Sequence, residues 1–340
     1  MSSKDLPGLP MTDLPHQDHP PIGTLPPIKV VVLMSTYNGE RYVVEQLTSI
    51  LQQLPPGGRI IVRDDGSRDG TVALVEAIGD ARVAVIRGTN LGFGASFLTL
   101  LTVVSADADL VMFSDQDDVW LPGKIDRAWR HLQSLGGVPA LYGSAQMLAD
   151  QHLVPIHATP PWPRGPSLAG ALTENIITGC TAALNRSALL LLQQAGVPRG
   201  VRFHDWWMYL VVSAFGRVIH DDAPTLLYRQ HGANHIGHGA GWFGRQRQIV
   251  RFLWRNDWVG ILLGQVHALV VHYGQSMPAN AQALVSQHFL IEADSARPSW
   301  RLVFSLCRWR QNPLWEVALR LLLAVHRLGI WPLPSRRLRP

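Results

Sequence analysis

The chain has 340 residues, 47% hydrophobic and 16% charged, a balance that suits one large or two modest globular domains and excludes a mostly disordered chain. The formal charge of +5 is uneven: residues 241–340 hold 13 arginines, no lysine and 4 acids, a net +9. Cys180 and Cys307 form neither a disulfide framework nor a metal-ligand spacing, which points to a reducing compartment.

Residues 1–27 are proline-rich, have no apolar run, and read as a disordered leader and not as a signal peptide. Residues 28–36 form an apolar, β-branched run, as a buried parallel strand does. From Glu40 to Gln53, Val43, Leu47, Ile50 and Leu51 share a helical face, and the Pro-Pro-Gly-Gly at 55–58 stops it. A strand at 59–63, a helix at 71–78, a strand at 82–87, a helix to about Val104 and a strand at 110–113 follow. Strands and helices alternating in this way predict an α/β fold with a mostly parallel sheet, whose ligands bind beyond the carboxyl ends of the strands. Four polar motifs fall at those ends: Thr36-Tyr37-Asn38, Asp64-Asp65-Gly66-Ser67, residues 90–94 and Asp115–Asp118.

After Pro122 the pattern predicts a helix at 129–135, a strand at 140–148, a Pro-rich loop at 158–167, a turn at Thr178-Gly179, a helix over 203–215 and short strands at 218–220 and 225–229. Residues 241–340 read as a basic, amphipathic α-helical region. Trp258–Tyr273 is apolar but too short to span a bilayer, and Leu314–Leu328 carries a narrow polar stripe. Its leucines and valines favour helices packed on the preceding domain or peripheral contact with a membrane face, and these are compatible. Nucleic acid is not the expected partner.

Ser114–Asp118 carries the clearest chemistry. Three carboxylates within four residues repel one another unless a cation neutralises them. Hard oxygen ligands suit Mg²⁺ or Mn²⁺ bridging two phosphates; the bland alternative is a solvated acidic turn. Asp64-Asp65-Gly66-Ser67 is equally compatible with a simple capping turn, although a carboxylate there could accept the imide N–H of uracil or thymine. No Gly-x-x-x-x-Gly-Lys-Ser/Thr loop occurs and no Gly-x-Gly-x-x-Gly follows the first strand, which disfavours an NTPase or a dinucleotide oxidoreductase.

Met34–Gly39, Asp64–Thr71, Asn90-Leu91-Gly92 and Asp115–Pro122, in that order, resemble family 2 glycosyltransferases of the GT-A fold over roughly residues 28–240. His204-Asp205-Trp206-Trp207 and Leu227–Gly232 resemble the rhamnosyltransferase-type branch, which builds O-antigens and other bacterial surface polysaccharides. The resemblance implies a catalytic domain at 28–240 with a helical extension at 241–340. It implies a nucleotide-diphosphate sugar donor, dTDP-L-rhamnose or a UDP-sugar, and a saccharide or lipid-linked acceptor. It also implies work in the cytoplasm or at the cytoplasmic membrane face.

By the same resemblance, Ser35 or Thr36, Tyr37 and Asp65 would hold the base and ribose. Asp115 and Asp117 would hold the metal and diphosphate, with Asp118 in support, and His231 would complete the metal site. Thr178 and Gly179 would line the acceptor side. Asp205 would be the general base of an inverting transfer, with His204 where many relatives carry Glu. Residue by residue, alternatives stay open: Asp205 as a helix N-cap, His231 as a solvated histidine rivalled by His235 and His238, and Trp206 and Trp207 as core residues and not acceptor-stacking platforms. A sugar nucleotidyltransferase lacks its expected triphosphate loop here, and a non-catalytic scaffold would have no need of so complete a set of carboxylates.

Overall fold

In the computed structural model, residues 28–231, 257–289, 298–307 and 309–329 are described. The leader at 1–27, residues 241–256 of the C-terminal region, and His235 and His238 lie outside the described residues.

The first half winds as expected: β1 (Val30–Thr36), α1 (Val43–Leu51), β2 (Arg59–Asp64), α2 (Thr71–Ala77), β3 (Val83–Arg87), α3 (Phe93–Thr102) and β4 (Leu110–Ser114). These four strands pair in parallel in the order β3-β2-β1-β4. The β1 pleat explains its all-apolar sequence. Val30, Val32 and Met34 enter the core under α1, while Leu33 enters the core on the opposite face, so both sides of the strand are buried.

The second half runs β5 (Val119–Trp120), α4 (Lys124–Leu132), β6 (Ala140–Ala149), β7 (Pro155–Ala158), α5 (Leu168–Ala171), β8 (Ala183–Asn185), α6 (Arg186–Gln193), α7 (His204–Phe215) and β9 (Arg217–Arg229). It completes a nine-stranded sheet, β3-β2-β1-β4-β8-β6-β9-β5, with β7 on the edge of β6. Pairing here mixes directions: β8 is antiparallel to β4 and β6, β5 is antiparallel to β9, and β6 is parallel to β9.

Several expected boundaries move for local reasons. The helix expected at 129–135 starts at Lys124, because Gly123 takes a left-handed φ of 82° that turns the chain into it. It ends at Leu132 and tightens into a 3₁₀ turn over Gln133–Leu135. The two short strands expected at 218–220 and 225–229 are one strand, whose register slips opposite Ser144–Met147. α6 was not anticipated; Asn185 caps it by accepting the Ala188 N–H at 3.0 Å.

α7 is apolar almost all round because neighbours cover it almost all round. The C-terminal helices α8 (Trp258–Tyr273), α9 (Ala279–His288), α10 (Trp300–Val303) and α11 (Pro313–Arg327) supply part of that cover. Leu262, Val266, Leu269, Leu319 and Leu323 join the same core as Phe97 and Trp207. Tyr273 donates to the Leu191 carbonyl at 2.7 Å, and Glu174 accepts the Gln311 N–H at 2.7 Å. Among the described residues no helix is long and apolar enough to cross a membrane.

Candidate active site

The carboxyl ends of β1, β2 and β4 lie side by side, and three loops leave them. Gln116 ties two together: its Oε1 accepts the Tyr37 N–H at 2.8 Å and its Nε2 donates to the Tyr37 carbonyl at 3.1 Å. Gly39 makes this possible, since a Cβ there would meet Gln116 Oε1 at 2.2 Å. Asn38, at a left-handed φ of 49°, accepts the Arg68 N–H at 2.9 Å and so binds the first loop to the second.

The second loop is internally satisfied. Asp64 accepts the hydroxyls of Thr36 and Ser67 and the N–H groups of Gly66 and Ser67. Asp65, 2% exposed, pairs with the buried guanidinium of Arg63 and accepts the N–H groups of Leu91 (2.8 Å) and Gly92 (2.9 Å). Ser35 shares a 2.6 Å hydrogen bond with Ser96, and Thr36 is 1% exposed. Of the four residues expected to hold the base and ribose, Tyr37 alone is offered outward, at 45% exposure. Ser35, Thr36 and Asp65 shape the loops from within.

The third loop is the opposite. Ligand atoms of Asp115, Asp118 and Cys180 lie within 4.8 Å of one another. Burial first, then the charges of Asp117 and Asp205, push the Asp115 carboxyl up to about 7. Burial, then Asp117 and Asp115, push Asp118 well above the carboxylate range. Asp118 Oδ2 is buried with no hydrogen-bond partner among the described residues. Asp117 sits apart from the Asp115–Asp118–Cys180 group, and its carboxylate meets His231 Nε2 at 2.8 Å.

A lysine that sequence reasoning missed lies beneath this cluster. Lys124 is 1% exposed, donates to the Cys180 carbonyl at 2.7 Å and stands 4.7 Å from the Trp120 ring centroid. Burial draws its pKa down to about 8. It is an internal cation beside acids that attract it, so the loop does not depend wholly on a bound ion to exist. Nothing in the sequence marks it, since lysines at helix starts are usually solvated.

Arg229 was also missed. It donates to the Asp117 carbonyl at 2.8 Å and the Gln151 carbonyl at 2.9 Å, pairs with Glu45, and lies 4.5 Å from the Tyr42 ring centroid. Its backbone N–H reaches Asp118 Oδ1 at 3.3 Å. The Tyr42 ring also meets the His231 ring, with centroids 5.0 Å apart. Strand β9 therefore braces the acidic loop and delivers His231 to Asp117 in three consecutive residues.

Asp205 enters from α7. It is not the N-cap, which is Phe203. Its carboxylate accepts the Trp206 N–H at 2.7 Å and the Gly179 N–H at 3.2 Å, yet burial outweighs these and raises its pKa to about 6. Gly179 has to be small: a Cβ would lie 2.7 Å from His204 Nε2 and 3.6 Å from Asp205 Cβ. His204 stacks on Phe97 at 4.2 Å with both ring nitrogens unpartnered among the described residues, and burial holds it neutral, near 3. Thr178 is exposed beside this turn.

The two tryptophans correct the acceptor-side expectation. Trp206 and Trp207 are 2% and 0% exposed. Trp206 donates to the Ala171 carbonyl at 2.7 Å and stacks on Trp258 at 4.9 Å, while Trp207 packs against Tyr273. Both anchor α7 to the C-terminal helices, so neither has a free face for a sugar.

The glycosyl transferase family 2 model matches residues 31–190, which carry all three loops. Residues 31–190 thus match a family 2 glycosyltransferase domain. The dTDP-rhamnosyl transferase RfbG of Shigella flexneri is 28% identical to this chain over 248 residues, 66% of this chain and 80% of that protein. The UDP-Glc:alpha-D-GlcNAc-diphosphoundecaprenol beta-1,3-glucosyltransferase WfgD of Escherichia coli is 24% identical over 161 residues, 47% of this chain and 61% of its own. The structure of S. aureus TarS 1–349 in complex with UDP-GlcNAc superposes with a TM-score of 0.50 at 18% identity, covering 75% of this chain and 78% of that one. That likeness places the fold among GT-A transferases, as the loop motifs imply.

Proposed function

We propose that this chain is an inverting, metal-dependent glycosyltransferase of surface polysaccharide assembly. The donor is a nucleotide-diphosphate sugar, a dTDP- or UDP-sugar; the relation to RfbG favours dTDP-L-rhamnose. The acceptor is a saccharide, and the relation to WfgD, whose name includes a diphosphoundecaprenol, favours one carried on a lipid. Residues 28–240 form the catalytic part and 241–340 the helical extension, acting on the cytoplasmic side of a membrane.

One observation carries this reading: a half-buried carboxylate on α7, held by the Gly179 and Trp206 N–H groups, is close enough to the acidic loop after β4 for its charge to raise Asp115. Inverting transfer is a single in-line displacement that needs one base on the acceptor side and charge neutralisation on the leaving side. Asp205, raised to about 6, is ionised at neutral pH and still basic enough to take the acceptor hydroxyl's proton. Gly179 and Trp206 hold it in place through their N–H groups. Tyr37 offers its ring to the base, and Thr178 lies on the acceptor side.

The acidic loop fits a hard divalent cation: it offers carboxylate oxygens, one buried oxygen without a partner, and an adjoining imidazole. Asp115, Asp117 and His231 would hold Mg²⁺ or Mn²⁺, which when bound neutralises the departing diphosphate. Asp118 and Arg229 steady the loop from behind, and Lys124 limits the repulsion when the cation is away. The test is turnover and metal-dependent donor binding in Asp117→Ala, with dTDP- and UDP-sugars screened by thermal shift. Turnover should fall by about a thousandfold or more and the metal-dependent shift should vanish. Full activity would sink the metal assignment.

A further inference from the structure

The C-terminal helices bury one side against the transferase domain and leave another side open. On α11, Leu319, Leu323 and His326 are buried, whereas Leu314, Val317 and Leu321 are 80%, 56% and 62% exposed. The exposed three recur at i, i+3 and i+7 and so form one stripe. The segment leading into α11 adds Phe304, 74% exposed, and Leu306, wholly exposed; Trp300 stacks on Phe304 at 5.6 Å. This segment is strapped to α11, because Arg320 donates to the carbonyls of Val303, Ser305 and Cys307. Single exposed apolar residues are ordinary, but a set of this size on two joined elements marks an interaction surface.

Charge identifies the occupant. Across residues 298–329 the sole acid is Glu316, 7% exposed and engaged by the N–H groups of Trp309 and Arg310 and by Arg320. Arg301 is exposed on α10, and residues 241–340 carry a net +9. A second copy would set one net-positive C-terminal region against another. Nucleic acid would satisfy the arginines and leave the leucines in water. An anionic bilayer satisfies both, with an aromatic pair of the kind that sits at the headgroup boundary.

We propose that this face docks the enzyme peripherally on an anionic phospholipid membrane, through Trp300, Phe304, Leu306 and the Leu314–Val317–Leu321 stripe. The proposal rests on and deepens the lipid-linked acceptor reading, since it brings the enzyme to the surface where such an acceptor lies. No helix need cross the bilayer, and the buried side of α11 keeps its core contacts.

The test is flotation of the full chain with phosphatidylcholine vesicles, and with vesicles in which about a third of the lipid is phosphatidylglycerol. Wild type should float with the anionic vesicles and not with the neutral ones. The Leu314→Glu/Leu321→Glu variant should lose about tenfold or more of the bound fraction, with an unchanged thermal unfolding midpoint as the control for folding. Arg301→Glu should weaken the anionic preference by a smaller factor. Wild type that fails to float overturns the proposal, as does a Glu variant that floats normally. Size-exclusion chromatography in which the Glu variant dissociates a dimer would assign the face to a second copy instead. Floating protein with no transfer to any acceptor would sink the acceptor reading and leave the docking surface standing.

Discussion

Two aspartate pairs stand at the ends of β2 and β4, strands that flank β1 on either side, and they have opposite characters. Asp64 and Asp65 are saturated. Four donors reach the first, and the second holds a buried arginine and two backbone N–H groups. Asp115 and Asp118 are crowded with other acceptors, and burial pushes both carboxyls up. The same residue type at equivalent positions thus does two jobs. A carboxylate whose lone pairs are filled by the protein is scaffold, and one left short of donors is poised for something the protein does not supply. Asp205 belongs with the second group, because burial outweighs the Trp206 and Gly179 N–H groups and the Asn175 side chain that donate to it.

The largest effect that would sharpen this contrast is on turnover. Asp205→Asn keeps the shape and one acceptor oxygen for the Trp206 or the Gly179 N–H, but cannot accept a proton. It should lower kcat by about a hundred- to ten-thousandfold while donor affinity, measured by thermal shift with the metal present, stays within a factor of a few. Normal kcat would remove Asp205 as the base. Equal losses in donor affinity and kcat would instead make it part of the donor site.

The next effect is on stability, and it can break the contrast outright. Asp65→Ala strands the buried Arg63 guanidinium and the Leu91 and Gly92 N–H groups, which should cost about 3–5 kcal/mol by urea unfolding. Asp118→Asn removes a buried carboxylate that lacks a full set of donors, so it should be neutral or mildly stabilising in the metal-free protein. If Asp118→Asn destabilises as much as Asp65→Ala, the two pairs do not differ in kind.

The parallel half of the fold was legible because each strand is a continuous apolar run ending in a polar motif, and the placement of that motif follows from the fold's chemistry. β9 was legible only in pieces, because its middle, Asp221-Asp222-Ala223-Pro224, looks like a turn, and pairing with β6 overrides that preference. The acidic loop, the Asp117–His231 approach and the entry of Asp205 on α7 followed from motif order. The role of Asp65 did not: its consumption by Leu91, Gly92 and Arg63 depends on contacts across separate loops. Trp206 and Trp207 read as platforms only while the C-terminal helices that cover them were unplaced. Lys124 was hidden because a buried lysine differs from a solvated one only in what surrounds it.

The smallest predicted effect is the most discriminating, because it reads one carboxylate in two ways. Burial raises Asp205 to about 6 in the folded chain from an ordinary value of 3.8. The ionised form is therefore disfavoured by folding. This penalty is complete above pH 6, shrinks as pH falls through 6, and is gone below 3.8. The stability of Asp205→Asn relative to wild type should accordingly rise by about 1–3 kcal/mol between about pH 4 and pH 7.5, on top of a pH-independent cost for the one N–H that the amide cannot accept. Catalysis should show the mirror image, since only ionised Asp205 accepts a proton. The wild-type kcat/KM should fall tenfold per pH unit below about 6. A stability gap and an activity limb that inflect at the same pH would tie both to this group. A gap independent of pH would mean that Asp205 is held by its Gly179 and Trp206 hydrogen bonds more firmly than burial loosens it, and it would then belong with Asp64 and Asp65.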